Sequence, residues 1–153
     1  MPTQNKQLVH YWTVLTKNVA VDKLTNNMIL GEVLEEIKYQ VPQGEKTKIE
    51  EAISNAGEIV LPLNAYLASY LESDQPSSQR VVEIEYELPN GKTESAIEQP
   101  LNFGTNKRGR NITNIQSIKV CGSGRYIFRL ITKVNGKQEV LAEVPLLVTL
   151  EYV

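Results

Sequence analysis

The amino-acid sequence predicts an all-β fold: a single antiparallel β-sandwich of Ig-like, Greek-key type, with about eight strands and one short helix near 48–56. Three observations predict it. Most segments alternate apolar and polar residues with a period of two. Asn-Gly dipeptides at 90–91 and 135–136 separate alternating segments, as hairpin turns do. Strand-like and helix-like segments do not alternate, which excludes a Rossmann-like fold; a closed barrel is the alternative. The 153 residues fit one domain spanning 1–153, long enough to bury a core without disulfides or metals.

The elements follow in order. Leu8–Lys17 alternates Val9, Tyr11, Thr13 and Leu15 against His10, Trp12 and Val14. Both sets carry apolar groups, so burial on both sides is expected. Asn27–Val41 reads as one long strand with a bulge at Gly31. Thr47 and Glu50 match a capping box, and Ile49, Ala52, Ile53 and Ala56 share one helical face. Gly57 then suits the left-handed position that ends a helix. Ile59–Glu72 places Leu61, Leu63, Ala65, Leu67 and Leu71 on one face, with Tyr66 and Tyr70 on the other.

The second half repeats the pattern. Val82, Ile84, Tyr86 and Leu88 oppose Glu83, Glu85 and Glu87. Pro89-Asn90-Gly91-Lys92 turns the chain through a type I′ geometry into a strand at Thr93–Pro100, which Pro100 ends. Phe103 anchors the loop that follows. Ile112, Ile115 and Ile118 lie three apart in Asn111–Val120, the signature of a bulged strand. In Arg125–Val134, Tyr126, Phe128 and Leu130 face inward. In Gln138–Tyr152, Val140, Ala142, Val144, Leu146, Val148, Leu150 and Tyr152 do the same. Pro145 has the opposite parity and implies a bend or an edge.

The chain resembles an uncharacterised family of bacterial β-sandwich proteins, a domain of unknown function. The similarity rests on Asp22-Lys23-Leu24-Thr25 with Met28-Ile29-Leu30-Gly31-Glu32-Val33, on Leu61-Pro62-Leu63, and on Glu87-Leu88-Pro89-Asn90-Gly91. It extends to Gly124-Arg125-Tyr126-Ile127-Phe128-Arg129-Leu130 and Val144-Pro145-Leu146-Leu147-Val148. The resemblance implies a sandwich fold and no catalytic residues.

Charge and cysteine usage limit the chemistry. Sixteen Lys and Arg against 18 Asp and Glu give a net charge of −2, which argues against bulk electrostatic binding to nucleic acid or membrane. One Cys and one His exclude an intramolecular disulfide and a Cys/His zinc cage. No secretory or membrane-spanning segment is read, so a cytoplasmic location is expected. No cofactor or metal is expected.

Four constellations merit weighing. The segment Gly104–Asn111 concentrates positive charge between glycines. Its Asn106, Lys107, Arg108 and Arg110 are the candidate ligand-binding residues, suited to phosphate or carboxylate, or else a solvated loop. Glu83, Glu85 and Glu87 form a carboxylate stripe that binds a hard cation unless Lys or Arg faces it. Tyr11, Trp12, Tyr66, Tyr70 and Tyr86 are either core or, where exposed, a platform for sugars. His10 with Cys121 or a serine is the one route to nucleophilic chemistry, and it requires hydrogen-bond contact.

These residues lead to a non-enzymatic binding or accessory module. Protein–protein interaction through loops or a strand edge is the leading expectation, with an unknown protein partner or a second copy. Nucleic-acid binding and carbohydrate binding are the alternatives, and a hydrolase follows them.

Overall fold

A computed structural model describes residues 8–73, 79–103, 107–134 and 136–153. Among these described residues nine strands form two sheets: β1 Leu8–Val21, β2 Met28–Val33, β3 Glu36–Val41, β4 Ile59–Ser73, β5 Gln79–Glu87, β6 Thr93–Asn102, β7 Arg108–Val120, β8 Gly124–Val134 and β9 Lys137–Tyr152. Helix α1, Lys46–Ala56, lies between β3 and β4. The first sheet runs β2-β1-β4-β7 and the second β3-β9-β8-β5-β6. Leu15, Leu63, Leu67 and Leu71 of the first sheet meet Val82, Ile84, Phe128, Leu130, Leu146 and Val148 of the second in one buried core. The fold is therefore mostly β, in two sheets, with one short helix.

The sheets are not purely antiparallel, as the alternation alone led us to expect. β3 pairs with β9 in parallel, Glu36 opposite Leu147 through Val41 opposite Tyr152. The reason lies in the stretch read as one strand over 27–41. It breaks at Leu34-Glu35, where the chain crosses between sheets. The Leu34 N–H donates to the Leu15 carbonyl at 2.7 Å on one side, and the Leu147 N–H to the Glu35 carbonyl at 3.0 Å on the other. Leu34 is buried at that crossing. The left-handed residue in this stretch is Glu32 (φ 53°), not Gly31.

Other local corrections have equally local causes. Helix α1 starts one residue before the expected cap, after a short 3-10 turn at Gln43–Glu45, and Glu45 precedes it without a side-chain cap bond. Gly57 does take the left-handed position (φ 83°), its N–H donating to the Ile53 carbonyl. Ile49, Ala52 and Ile53 are half-buried, and Ala56 is exposed. The Leu88–Lys92 turn closes with only Gly91 left-handed, so it is not type I′, which needs two such residues. Pro100 does not end β6. That strand lies at the edge of its sheet, where a missing N–H is tolerated, and Pro100 pairs with Val81.

Two strands change face at irregularities. In β1 the register shifts between His10 and Trp12, so Tyr11 is the extra residue. His10 therefore shares the inward face of its partner Leu71, while Trp12 lies outward beside Tyr70. The outer side of β1 is open, not buried, with Val9 41% and Tyr11 52% exposed. β7 buries Asn111, Thr113 and Ile115, then Ile118 and Val120, with Gln116 and Ser117 exposed between them. The parity change explains the isoleucine spacing; the register shift lies opposite, between Pro62 and Ala65 of β4. In β9, Val140 is 49% exposed, not inward, because the register shifts opposite Leu130 and Ile131.

Candidate functional site

The outer face of the first sheet carries the most distinctive grouping. Pairing fixes it: Trp12 of β1 lies opposite Tyr70 of β4, and Tyr70 lies opposite Arg110 of β7. One row thus crosses three strands as indole, phenol and guanidinium. One step along, Glu72 lies opposite Arg108. The Trp12 and Tyr70 rings are near-parallel, 6.2 Å between centroids and 23° between planes. Tyr11, expelled by its bulge, comes within 5.1 Å of Tyr70, and its hydroxyl donates to Glu72 Oε2 at 3.2 Å. That bond to a carboxylate raises the Tyr11 hydroxyl pKa above its ordinary value.

The turn between β1 and β2 supplies the other wall. Asp22 organises it: its Oδ1 accepts from the Leu24 N–H at 2.8 Å and the Thr25 N–H at 3.0 Å. These backbone donors hold the Asp22 carboxyl below its ordinary pKa. The Asn26 N–H donates to the Asp22 carbonyl, and Asn26 takes a left-handed φ of 59°, a conformation asparagine tolerates. This presents the Asn26 carbonyl to Arg110, whose Nη2 donates to it. Between wall and sheet lies a cleft of about 590 Å³, lined by Trp12, Tyr70, Arg108, Arg110 and the turn residues Thr25–Met28. A cleft of this size, with flat rings and guanidinium donors, suits a small ligand that has a planar face and an anionic group.

The basic segment is thus divided by the structure. Arg108 and Arg110 are strand residues of β7 on the outer face, not loop residues. Lys107 precedes the strand with a left-handed φ of 65°, and its carbonyl accepts from the Ser73 N–H at 2.8 Å. The Lys107 side chain is exposed and does not line the cleft. Asn106 lies outside the described residues. Phe103 is buried against Gly109, where a Cβ would come within 2.7 Å of the ring; the loop it was expected to anchor lies, at 104–106, outside the described residues.

The union of arginines and aromatics was not visible in the sequence. Tyr70 could be found from its parity opposite the leucines. Trp12 could not be placed without the bulge, and the Thr25–Met28 turn carried no signal of its own. Tyr86 leaves the aromatic set: it is buried, 5.3 Å from Phe128, and its hydroxyl accepts from the Lys119 N–H at 2.9 Å.

The other constellations resolve into packing. Arg129 bridges Glu85, Glu87 and Glu143, and Lys133 reaches Glu83 at 3.8 Å, so cations face the carboxylate stripe. Among the described residues no group of three His, Cys, Asp or Glu is placed to hold a metal ion. His10 pairs with Leu71 near the end of β4, whereas Cys121 follows Val120, which pairs with Ile59 at its start. The full length of the 15-residue β4 separates the two. His10 Nε2 instead contacts Thr13 Oγ1 at 2.6 Å, and Thr13 contacts Ser69 Oγ at 2.8 Å, with no carboxylate among the described residues in the chain of contacts. Burial pushes the His10 pKa below its ordinary value. Tyr126, fully buried, donates to the Gly122 carbonyl at 2.7 Å and accepts from the Cys121 N–H at 3.0 Å. No described helix is long and apolar enough to cross a membrane.

Comparison with known proteins adds little to this geometry. No family model and no curated protein matches the chain. Among solved structures, it is similar to dimeric latent PorU from Porphyromonas gingivalis, at 17% identity and a TM-score of 0.38 over 61% of this chain and 9% of that one. It is also similar to the alkylpurine DNA glycosylase AlkC from Pseudomonas fluorescens, bound there to DNA containing an abasic site analog. That match has 15% identity and a TM-score of 0.41 over 90% of this chain and 30% of that one. A β-glucosidase from Kluyveromyces marxianus matches at 11% identity and a TM-score of 0.35, over 60% and 14% of the two chains. The chain spans less than a third of each of these proteins, and likeness at this level carries no functional argument.

Proposed function

We propose that this chain is a non-enzymatic binding module of Ig-like type that holds a small anionic ligand with a planar face in the cleft above its first sheet. One observation carries the reading: the row Trp12–Tyr70–Arg110, closed over by the Asn26 turn. Rings supply a stacking surface and guanidinium groups supply forked donors for an anion. The cytoplasm remains the compartment of this reading, because a chain with a single cysteine suits a reducing location. The test is a calorimetric screen of ring-bearing anions, nucleotides and uronic-acid saccharides, against the intact chain. The reading expects saturable one-site binding that Arg110→Gln weakens at least tenfold. Binding by no member of either class overturns it.

A second reading keeps protein–protein contact through a strand edge. β3 covers β9 only from Leu147 onward, so among the described residues the preceding part of β9 has no ladder partner on that side. Such an edge accepts a strand from a partner or a second copy. Sedimentation equilibrium at micromolar concentration tests the second-copy form. A dimer that Val140→Pro dissociates supports it, and a monomer at all concentrations removes it.

A further inference from the structure

Resting on the cleft reading above, we infer that the ligand is a single nucleotide, its base stacked against Trp12 and Tyr70 and its phosphate groups on Arg108 and Arg110. The two arginines are alternate residues on one face of β7, about 7 Å apart along the strand. That spacing lets two guanidinium forks address one phosphate or a diphosphate together, as two carboxylate-sized anions do not require. Saccharides need acceptors as well as donors for their hydroxyl groups. No carboxylate lines this cleft, and its side-chain acceptors are the uncharged groups of the turn, Thr25, Asn26 and Asn27.

The same face argues against a longer nucleic acid. A polynucleotide site tracks its backbone with a continuing line of positive charge. Beyond Arg110 the outer positions Ile112, Asn114 and Gln116 of β7 are uncharged, and the next cation on the strand, Lys119, is bridged to Glu58 and Glu94. In the other direction Glu72 lies beside Arg108. The charge of the whole chain, −2, supplies no wider field. The volume of about 590 Å³ matches one nucleotide.

The test is titration calorimetry on the full chain with five probes: a purine nucleoside 5′-diphosphate, the parent nucleoside, pyrophosphate, a uronic-acid disaccharide and a ten-residue single-stranded DNA. The diphosphate should bind at least tenfold more tightly than the nucleoside or pyrophosphate, because stacking and phosphate contacts act together. Arg110→Gln should cost it at least tenfold while changing nucleoside binding less than twofold. Arg108→Gln gives the same contrast without touching the Asn26 contact, should the first variant unfold the turn. Equal binding of nucleoside and diphosphate overturns the inference. Tighter binding of the disaccharide overturns the nucleotide class but leaves the cleft reading standing. Tighter, steeply salt-dependent binding of the DNA also overturns the single-nucleotide form. Binding by none of the five overturns both readings.

Discussion

His10 and Trp12, two residues apart, lie on opposite faces of β1 because Tyr11 is an extra residue between them. With Tyr11 retained and regularly paired, the two would share a face. Deleting Tyr11 should restore regular pairing with His10 still opposite Leu71 and Trp12 still opposite Tyr70. Trp12 is the only tryptophan, so its emission maximum reports its surroundings directly. We expect no blue shift in the deletion variant; a blue shift in a folded variant would show the indole turned into the core and contradict this register.

The buried Phe128 tests the assignment of the inner face of β8. Its ring is fully buried and packs against Tyr86. Phe128→Ala should lower the unfolding free energy by about 3–5 kcal/mol, measured by urea denaturation. A loss below about 1 kcal/mol would contradict that packing.

Gly109 and Phe103 make a complementary test next to the cleft. The ring occupies the space a Cβ would need. Gly109→Ala should cost about 1–3 kcal/mol through displacement of Phe103. Phe103→Leu in the same chain should recover part of that loss, and a double-mutant cycle reads the coupling. Simple additivity of the two changes would contradict the contact.

The single histidine gives a clean pH test. Burial lowers the His10 pKa in the folded chain below 6.5. The folded state then binds its proton less readily than the unfolded state does. His10 thus contributes stability that is present above pH 6.5 and is lost as pH falls through that value. His10→Gln should flatten the fall in stability between pH 7 and 5. Proton NMR of the imidazole should show a midpoint below 6.5; a midpoint above it would contradict the buried placement.

At high pH the tyrosines act with the same logic and the opposite direction. Burial pushes the Tyr39 hydroxyl up to about 12, and the hydroxyls of Tyr86 and Tyr126 rise for the same first reason. Their folded forms hold the proton longer than the unfolded chain, so stability present below pH 10 is lost as pH rises through 10 toward 12. Denaturation midpoints should therefore fall over that window, and Tyr39→Phe should reduce the slope.

The strands were legible where one face is buried and the other wet. Val82, Ile84, Tyr86 and Leu88, and likewise Tyr126, Phe128 and Leu130, follow a strict period of two, and all are buried. What the pattern cannot carry is a change of face. The bulge at Tyr11, the crossing at Leu34-Glu35 and the parity change in β7 depend on which strands pair, a non-local property. The parallel pairing of β3 with β9 is hidden for the same reason. The site was legible in pieces: two arginines in one segment, two aromatics in others. Pairing across β1, β4 and β7 joins them, and no local sequence signal encodes that register.

The measurement that tests the cleft most directly is Trp12 fluorescence during titration with a purine nucleoside diphosphate. A base stacked on the indole should quench its emission saturably, with a midpoint that Arg110→Gln raises at least tenfold. Emission that stays constant through saturating nucleotide, or a quench equal in wild type and Arg110→Gln, would contradict a ligand held between Trp12 and Arg110.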